Sequence, residues 1–124
     1  MANPFVHVEL ATSDVAKAKE FYSGLFDWKL EDVPGMDYTF INVSEGTGGG
    51  MLKTVQPDCH SYWMSYVLVD DIAVSTEKAR SLGATICKDI TEIPGMGWFS
   101  VFTDPTGATL ALWQMNPVYR KPAE

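Results

Sequence analysis

Val33-Pro34-Gly35-Met36 and Ile93-Pro94-Gly95-Met96 write nearly the same turn twice, at an offset of 60 from Val33 to Ile93. A Pro-Gly pair between apolar runs is ordinary punctuation between strands. The text that follows each copy carries more information. After the first come Asp37-Tyr38-Thr39-Phe40-Ile41-Asn42-Val43, a Gly-rich turn and Gly50-Met51-Leu52. After the second come Gly97-Trp98-Phe99-Ser100-Val101-Phe102-Thr103, the turn Asp104-Pro105-Thr106-Gly107, and Leu110-Ala111-Leu112. At the same offset of 60, Tyr38 matches Trp98, Ile41 matches Val101 and Leu52 matches Leu112. Each copy reads as a strand, a tight turn and a second strand, which is a hairpin.

The upstream segments match as well, at an offset of 57 from Asp14 to Asp71. Phe5-Val6-His7-Val8-Glu9-Leu10 reads as a strand, and Ser13-Asp14-Val15-Ala16 as a capped helix start. Their counterparts are Trp63-Met64-Ser65-Tyr66-Val67-Leu68-Val69 and Asp70-Asp71-Ile72-Ala73. The change of offset predicts an insertion in the helix-to-strand connection of the second half, where loops tolerate added length. Val15, Ala18, Tyr22 and Leu25 follow the helical period, as do Ile72, Thr76, Ala79 and Leu82. Gly24 and Gly83 are the predicted helix stops. Trp28 to Val33 and Ala84 to Ile90 read as the next strands. Each half therefore spells strand, helix, strand, strand, strand.

A chain of 124 residues builds one domain, so the two halves share it. Module one is expected over residues 4–56, module two over 62–114, with a C-terminal tail at 115–124. The formal charge of −7, with nine scattered Lys and Arg, argues against nucleic acid and anionic membranes as partners, since both would be repelled. The apolar stretches are strand-sized, and Met1-Ala2-Asn3-Pro4 has no export character, so a soluble, cytoplasmic protein is expected. Cys59 and Cys87 lie in an expected loop and an expected strand, without Cys-x-x-Cys spacing, and read as reduced thiols.

Two βαβββ halves in this order, with Val6-His7-Val8-Glu9-Leu10 near the start, Phe21-Tyr22-Ser23-Gly24-Leu25-Phe26-Asp27-Trp28 after the helix and Asp104 to Gln114 near the end, resemble the vicinal oxygen chelate superfamily. That group includes glyoxalase I, extradiol dioxygenases and bleomycin-resistance proteins. The resemblance covers residues 4–114. It implies an α+β fold of two tandem βαβββ modules forming an open, curved mixed sheet around a cleft, and it implies a homodimer. Metal-dependent members of the group take one ligand from the first and last strand of each module.

By that correspondence the four positions here are His7, Met51, Met64 and Ala111. Only His7 offers a donor suited to magnesium, manganese, zinc or iron, because a thioether is a poor ligand for such ions and a methyl group offers nothing. No cofactor is expected on these grounds, and a divalent metal would need an unorthodox site. Strand alternation puts His7 and Glu9 on one face, the pair around which such a site would form. The Asp58-Cys59-His60 run has the wrong spacing for a tetrahedral ion and reads as a solvated loop.

The residues expected to line the cleft are His7, Glu9, Met51, Met64, Tyr66, Ala111 and Trp113, with Trp98 and Phe5 beside them. Such a surface suits a planar or partly apolar small molecule. The reading is therefore a metal-independent, small-molecule-binding protein in which His7 and Glu9 are the catalytic candidates should any reaction occur. The alternatives are a metal-dependent glyoxalase-like lyase, isomerase or dioxygenase using His7 and Glu9, and an accessory domain whose cleft is filled. Gly48-Gly49-Gly50 lacks the Lys and Ser/Thr of a phosphate loop and is read as a place where backbone approaches closely.

Overall fold

The computed structural model describes residues 2–54 and 60–118. Asp58 and Cys59 of the expected link, and the tail from Tyr119 to Glu124, lie outside the described residues. In chain order the elements are β1 (Phe5–Thr12), α1 (Val15–Leu25), β2 (Lys29–Asp32), β3 (Thr39–Asn42), β4 (Gly49–Lys53), β5 (Tyr62–Leu68), α2 (Ile72–Ser81), β6 (Thr85–Ile93), β7 (Gly97–Thr103) and β8 (Thr109–Met115). The class is α+β, and the strand-helix-strand-strand-strand order occurs twice.

The chain clusters into two compact units, one of His7–Met64 and one of Ser65 onward together with the residues up to Val6. The first unit orders its strands β2-β3-β4-β1, the second β5-β8-β7-β6. In each unit one pair is parallel, β1 with β4 and β5 with β8, and the other pairs are antiparallel. Both are open, mixed sheets. In the second unit Leu68 holds the N-terminal residues, its N–H donating to Pro4 O at 3.0 Å and its carbonyl accepting from Asn3 Nδ2 at 2.9 Å.

The repeated phrase makes the same turn in both places. Met36 N–H donates to Val33 O at 3.2 Å and Met96 N–H to Ile93 O at 2.9 Å, with φ of 78° at Gly35 and 79° at Gly95. Proline presets the first corner and glycine supplies the positive φ at the second, as a type II turn requires. Both helix starts are capped as expected. Asp14 accepts from Lys17 N at 3.0 Å, and Asp71 accepts from Ala73 N at 3.0 Å and Val74 N at 3.1 Å.

The helix ends differ from each other. At α2, Gly83 has φ 104° and donates to Arg80 O, while Ala84 N–H reaches Ala79 O at 3.0 Å, the paired bonds of a Schellman stop. At α1 the expected glycine stop is not used: Gly24 lies inside the helix, and Phe26 ends it in extended conformation with its N–H on Tyr22 O. Leu25 and Leu82, expected on the buried stripes, are 57% and 69% exposed because each falls at the end of its helix, past the sheet contacts.

In the first unit α1 lays Val15, Ala18 and Tyr22 over buried Leu10, Ile41 and Met51, with Trp28, Leu30 and Val43 closing the cluster. Burying each of the three central side chains contributes roughly 1.5–3 kcal/mol relative to exposure. In the second unit Val69, Ile72 and Leu112 form the centre, with Val67, Trp98 and Phe102 against them. Under α2, Thr76 Oγ1 and Ser100 Oγ lie 2.8 Å apart and are 2% and 1% exposed, so each satisfies the other out of reach of water.

The two halves correspond with an offset that is not constant. At the start of the second strand the offset is 56, Lys29 onto Thr85, since these residues pair with Asn42 and Thr103 respectively. The inserted residues therefore do not lie before that strand, as expected, but within β6. There two register shifts, between Ile86 and Lys88 and between Lys88 and Thr91, each bulge one extra residue into the ladder, and the rest of the added length extends the pairing toward the turn through Glu92 with Trp98 and Ile93 with Gly97. Beyond the turn the offset is 61. Leu10 pairs with Met51 where Val67 pairs with Leu112, and Thr39 pairs with Met51 where Ser100 pairs with Leu112. A match at 60 is thus one residue out of register for β3 with β7 and for β4 with β8.

Candidate functional site

Because side chains alternate along a strand, that single residue decides which face each candidate occupies. His7 and Glu9 point away from α1, and Leu10 points toward it with its neighbour Met51. Met51, expected beside His7, is instead fully buried under α1, and Gly50 takes its place on the face of Glu9. The equivalent of Ala111 is therefore Gly50. Trp98, also expected with the site, pairs with Gln114 and packs on the Val69, Ile72 and Leu112 cluster on the α2 side.

The other expected residues fall as follows. Met64 is half-buried in β5. In the second unit, Tyr66 pairs with Ala111 and Leu68 with Trp113, so Tyr66, Ala111 and Trp113 share the face turned away from α2. Phe99 joins them, its ring packed edge-on to Tyr66 with centroids 6.4 Å apart. Phe5 is largely exposed. Of the Asp58-Cys59-His60 run only His60 is among the described residues, and it is exposed. Cys87 in β6 is a free thiol, 3.0 Å from Thr103 Oγ1.

The first unit gathers a polar centre that the sequence reading contained only in part. Tyr38, at the foot of β3, turns its phenol over β4 toward β1. Its oxygen lies 2.6 Å from His7 Nε2 and donates to Glu9 Oε2 at 2.8 Å. Direct separation of His7 Nε2 from Glu9 Oε2 is 3.9 Å, too long for a hydrogen bond, so the phenol is the link. His7 and Glu9 are each 19% exposed at the side chain, sheltered but reachable. The Tyr38 and His7 rings lie nearly parallel with centroids 6.3 Å apart, and Phe40 meets Tyr38 edge-on at 5.6 Å.

Two glycines make this arrangement possible. A Cβ at Gly49 would enter the carbonyl oxygen of Val8, so only glycine lets β4 close on β1 at that row. A Cβ at Gly50 would enter the hydroxyl and ring of Tyr38. The phenol crosses the sheet through the gap that Gly50 leaves. The expected close backbone approach at this glycine run is thus present, and its second half serves a side chain.

Tyr38 and Gly50 were missed because the match at 60 placed Tyr38 against Trp98, as one apolar repeat position among several. The available signal was size: an offset of 61 sets small Gly50 on small Ala111, Met51 on Leu112 and Thr39 on Ser100. By donor type, the four ligand positions now read His7, Gly50, Met64 and Ala111. Among the described residues no three His, Cys, Asp or Glu side chains are grouped as ion ligands, and no helix is long and apolar enough to cross a membrane.

Comparison with known proteins gives consistent results. The family model described as Glyoxalase/Bleomycin resistance protein/Dioxygenase superfamily matches residues 5–112. CFP32 of Mycobacterium tuberculosis (strain CDC 1551 / Oshkosh), which carries a provisional glyoxylase name, is 32% identical over 117 residues, covering 88% of this chain and 44% of its own. The anthracycline biosynthesis protein DnrV of Streptomyces peucetius is 28% identical over 123 residues, covering 86% and 45%. The chain spans about half the length of these curated relatives. Methylmalonyl-CoA epimerase from Mycobacterium tuberculosis shares the fold, with a TM-score of 0.69 at 14% identity over 91% of this chain and 88% of that one.

Proposed function

Since the chain belongs to the glyoxalase/bleomycin resistance protein/dioxygenase superfamily, we propose that it uses this scaffold without a metal, to bind a small, partly apolar molecule at the His7 and Glu9 centre. One observation carries the reading: the only usable donor at the four ligand positions, His7, is tied through Tyr38 to Glu9, and its β4 counterpart is a glycine. One imidazole, one thioether and two positions without donors do not fit a divalent ion, which needs three or more fixed ligands. The same groups suit hydrogen bonding to an organic ligand, with Phe40 and Leu52 on the same face as apolar surface. In the second unit, Tyr66, Ala111 and Trp113 remain candidate ligand residues on the corresponding face. The anthracycline biosynthesis name of DnrV agrees with a planar, partly apolar ligand class.

A homodimer and a cytoplasmic setting belong to the same proposal. Relatives of about twice this span in one polypeptide are consistent with two copies acting together. The free Cys87 thiol suits a reducing compartment.

The test is calorimetric titration of the purified protein with manganese, nickel, zinc and ferrous ions, with a His7→Ala control. The expected result is no stoichiometric, tight binding that depends on His7. Tight binding lost in His7→Ala would overturn the proposal in favour of a metal-dependent lyase, isomerase or dioxygenase. Screening planar aromatic and carbonyl compounds by quenching of tryptophan fluorescence then identifies the ligand class, and saturable quenching weakened in His7→Ala is expected.

A further inference from the structure

The hydrogen-bond directions at the polar centre can be worked out from proton count. A phenol has one proton, and an ionised carboxylate only accepts. With Tyr38 donating to Glu9 Oε2 at 2.8 Å, the phenol oxygen has only lone pairs to offer His7 Nε2 at 2.6 Å. His7 Nε2 must therefore carry a hydrogen. In the neutral ring the lone pair then belongs to Nδ1, because the two nitrogens share one proton.

At the equivalent places in the second unit stand Tyr66 for Glu9, Phe99 for Tyr38 and Ala111 for Gly50, so the carboxylate and phenol pair is not repeated there. The position of Tyr38 is also specific, since it depends on the absence of a side chain at Gly50. We infer that Tyr38 is a positioning residue: it holds neutral His7 in the Nε2–H form and so leaves the lone pair of the ring on Nδ1. This rests on the reading that His7 serves ligand binding, but it makes a separate claim about the protein without ligand.

Only two histidines are present, so labelling with 15N-histidine resolves the question directly. His60→Gln assigns the His7 signals. At a pH where His7 is neutral, the two-bond proton–nitrogen pattern should show the Nε2–H form, preferred on the order of tenfold, the bias that a single hydrogen bond supplies. Tyr38→Phe keeps the ring but removes the link and should collapse that preference to a mixture of tautomers. Gly50→Ala should act like Tyr38→Phe by displacing the phenol; if it does not fold, Tyr38→Phe decides alone. An Nδ1–H pattern in the unaltered protein, or an unchanged pattern in folded Tyr38→Phe, would overturn the inference. The metal titration is a different readout, so failure of the tautomer claim and failure of the functional reading are told apart.

Discussion

Replacing Gly50 by alanine should change sign in its effect according to whether Tyr38 is present. The backbone at Gly50 is in ordinary extended conformation, so alanine itself is tolerated there; the conflict is with the Tyr38 phenol. The added methyl would expel that ring. The losses are then a hydrogen bond to a carboxylate, roughly 1.5–3 kcal/mol, and one to an imidazole, roughly 0.5–1.5 kcal/mol. The edge-on contact with Phe40 is lost too, at about 0.5–1.5 kcal/mol. Against these stands the lower unfolded-chain entropy of alanine, worth about 0.4–1 kcal/mol. Gly50→Ala should therefore cost about 1.5–5.5 kcal/mol in the unaltered protein. In a Tyr38→Ala background it should stabilise by about 0.4–1 kcal/mol, because the three atoms nearest the added Cβ all belong to the Tyr38 phenol. Urea unfolding of the four proteins, compared at a common slope, measures the cycle. An equal cost of Gly50→Ala in both backgrounds would refute the claim that this glycine exists to admit Tyr38.

Thr76→Val should cost roughly 1–3 kcal/mol by stranding Ser100 Oγ in the buried core, while the pair Thr76→Val with Ser100→Ala should recover most of it, measured by the same unfolding assay. Gly24→Ala should stabilise by about 0.5–1 kcal/mol, since Gly24 lies within α1 with open space around its Cα, whereas Gly49→Ala should cost several times more by driving a methyl into a strand carbonyl; thermal melts of the two variants check the contrast. Asp104 accepts from Thr106 Oγ1, Ala108 N and Thr106 N, and these bonds, the hydroxyl's first, hold its carboxyl below the ordinary value of 3.8. A lowered folded-state pKa means that the stabilisation is fully present above the unfolded value and is lost as pH falls through the folded one. Asp104→Asn should therefore flatten the acid limb of stability between neutral pH and the region below 3.8, followed by urea midpoints across that range.

The repeat was legible in the sequence because it rests on local chemistry. Pro34-Gly35 and Pro94-Gly95 dictate a turn wherever they stand, and Asp14 and Asp71 cap helices by reaching their own backbone. Turn, cap and alternation together were enough for the order of elements in each half, and the family and its open sheet followed from the resemblance of the motifs set in that order. Helix ends were less legible, since Gly24 and Gly83 look alike in sequence, and only one sits where its helix leaves the sheet.

Strand register is different in kind, because it is set by what lies across the ladder and not by neighbours along the chain. The two bulges in β6 and the one residue added between its turn and β7 have no sequence signature as clear as a Pro-Gly turn, yet that added residue moves every later correspondence from 60 to 61. That one residue carried Met51 from the site into the core and put Gly50 in its place. The sequence by itself determined that His7 and Glu9 share a face, since alternation is a property of one strand. That a tyrosine from another strand joins them through a gap in a third was decided only when the chain closed, because it depends on a side chain that Gly50 lacks.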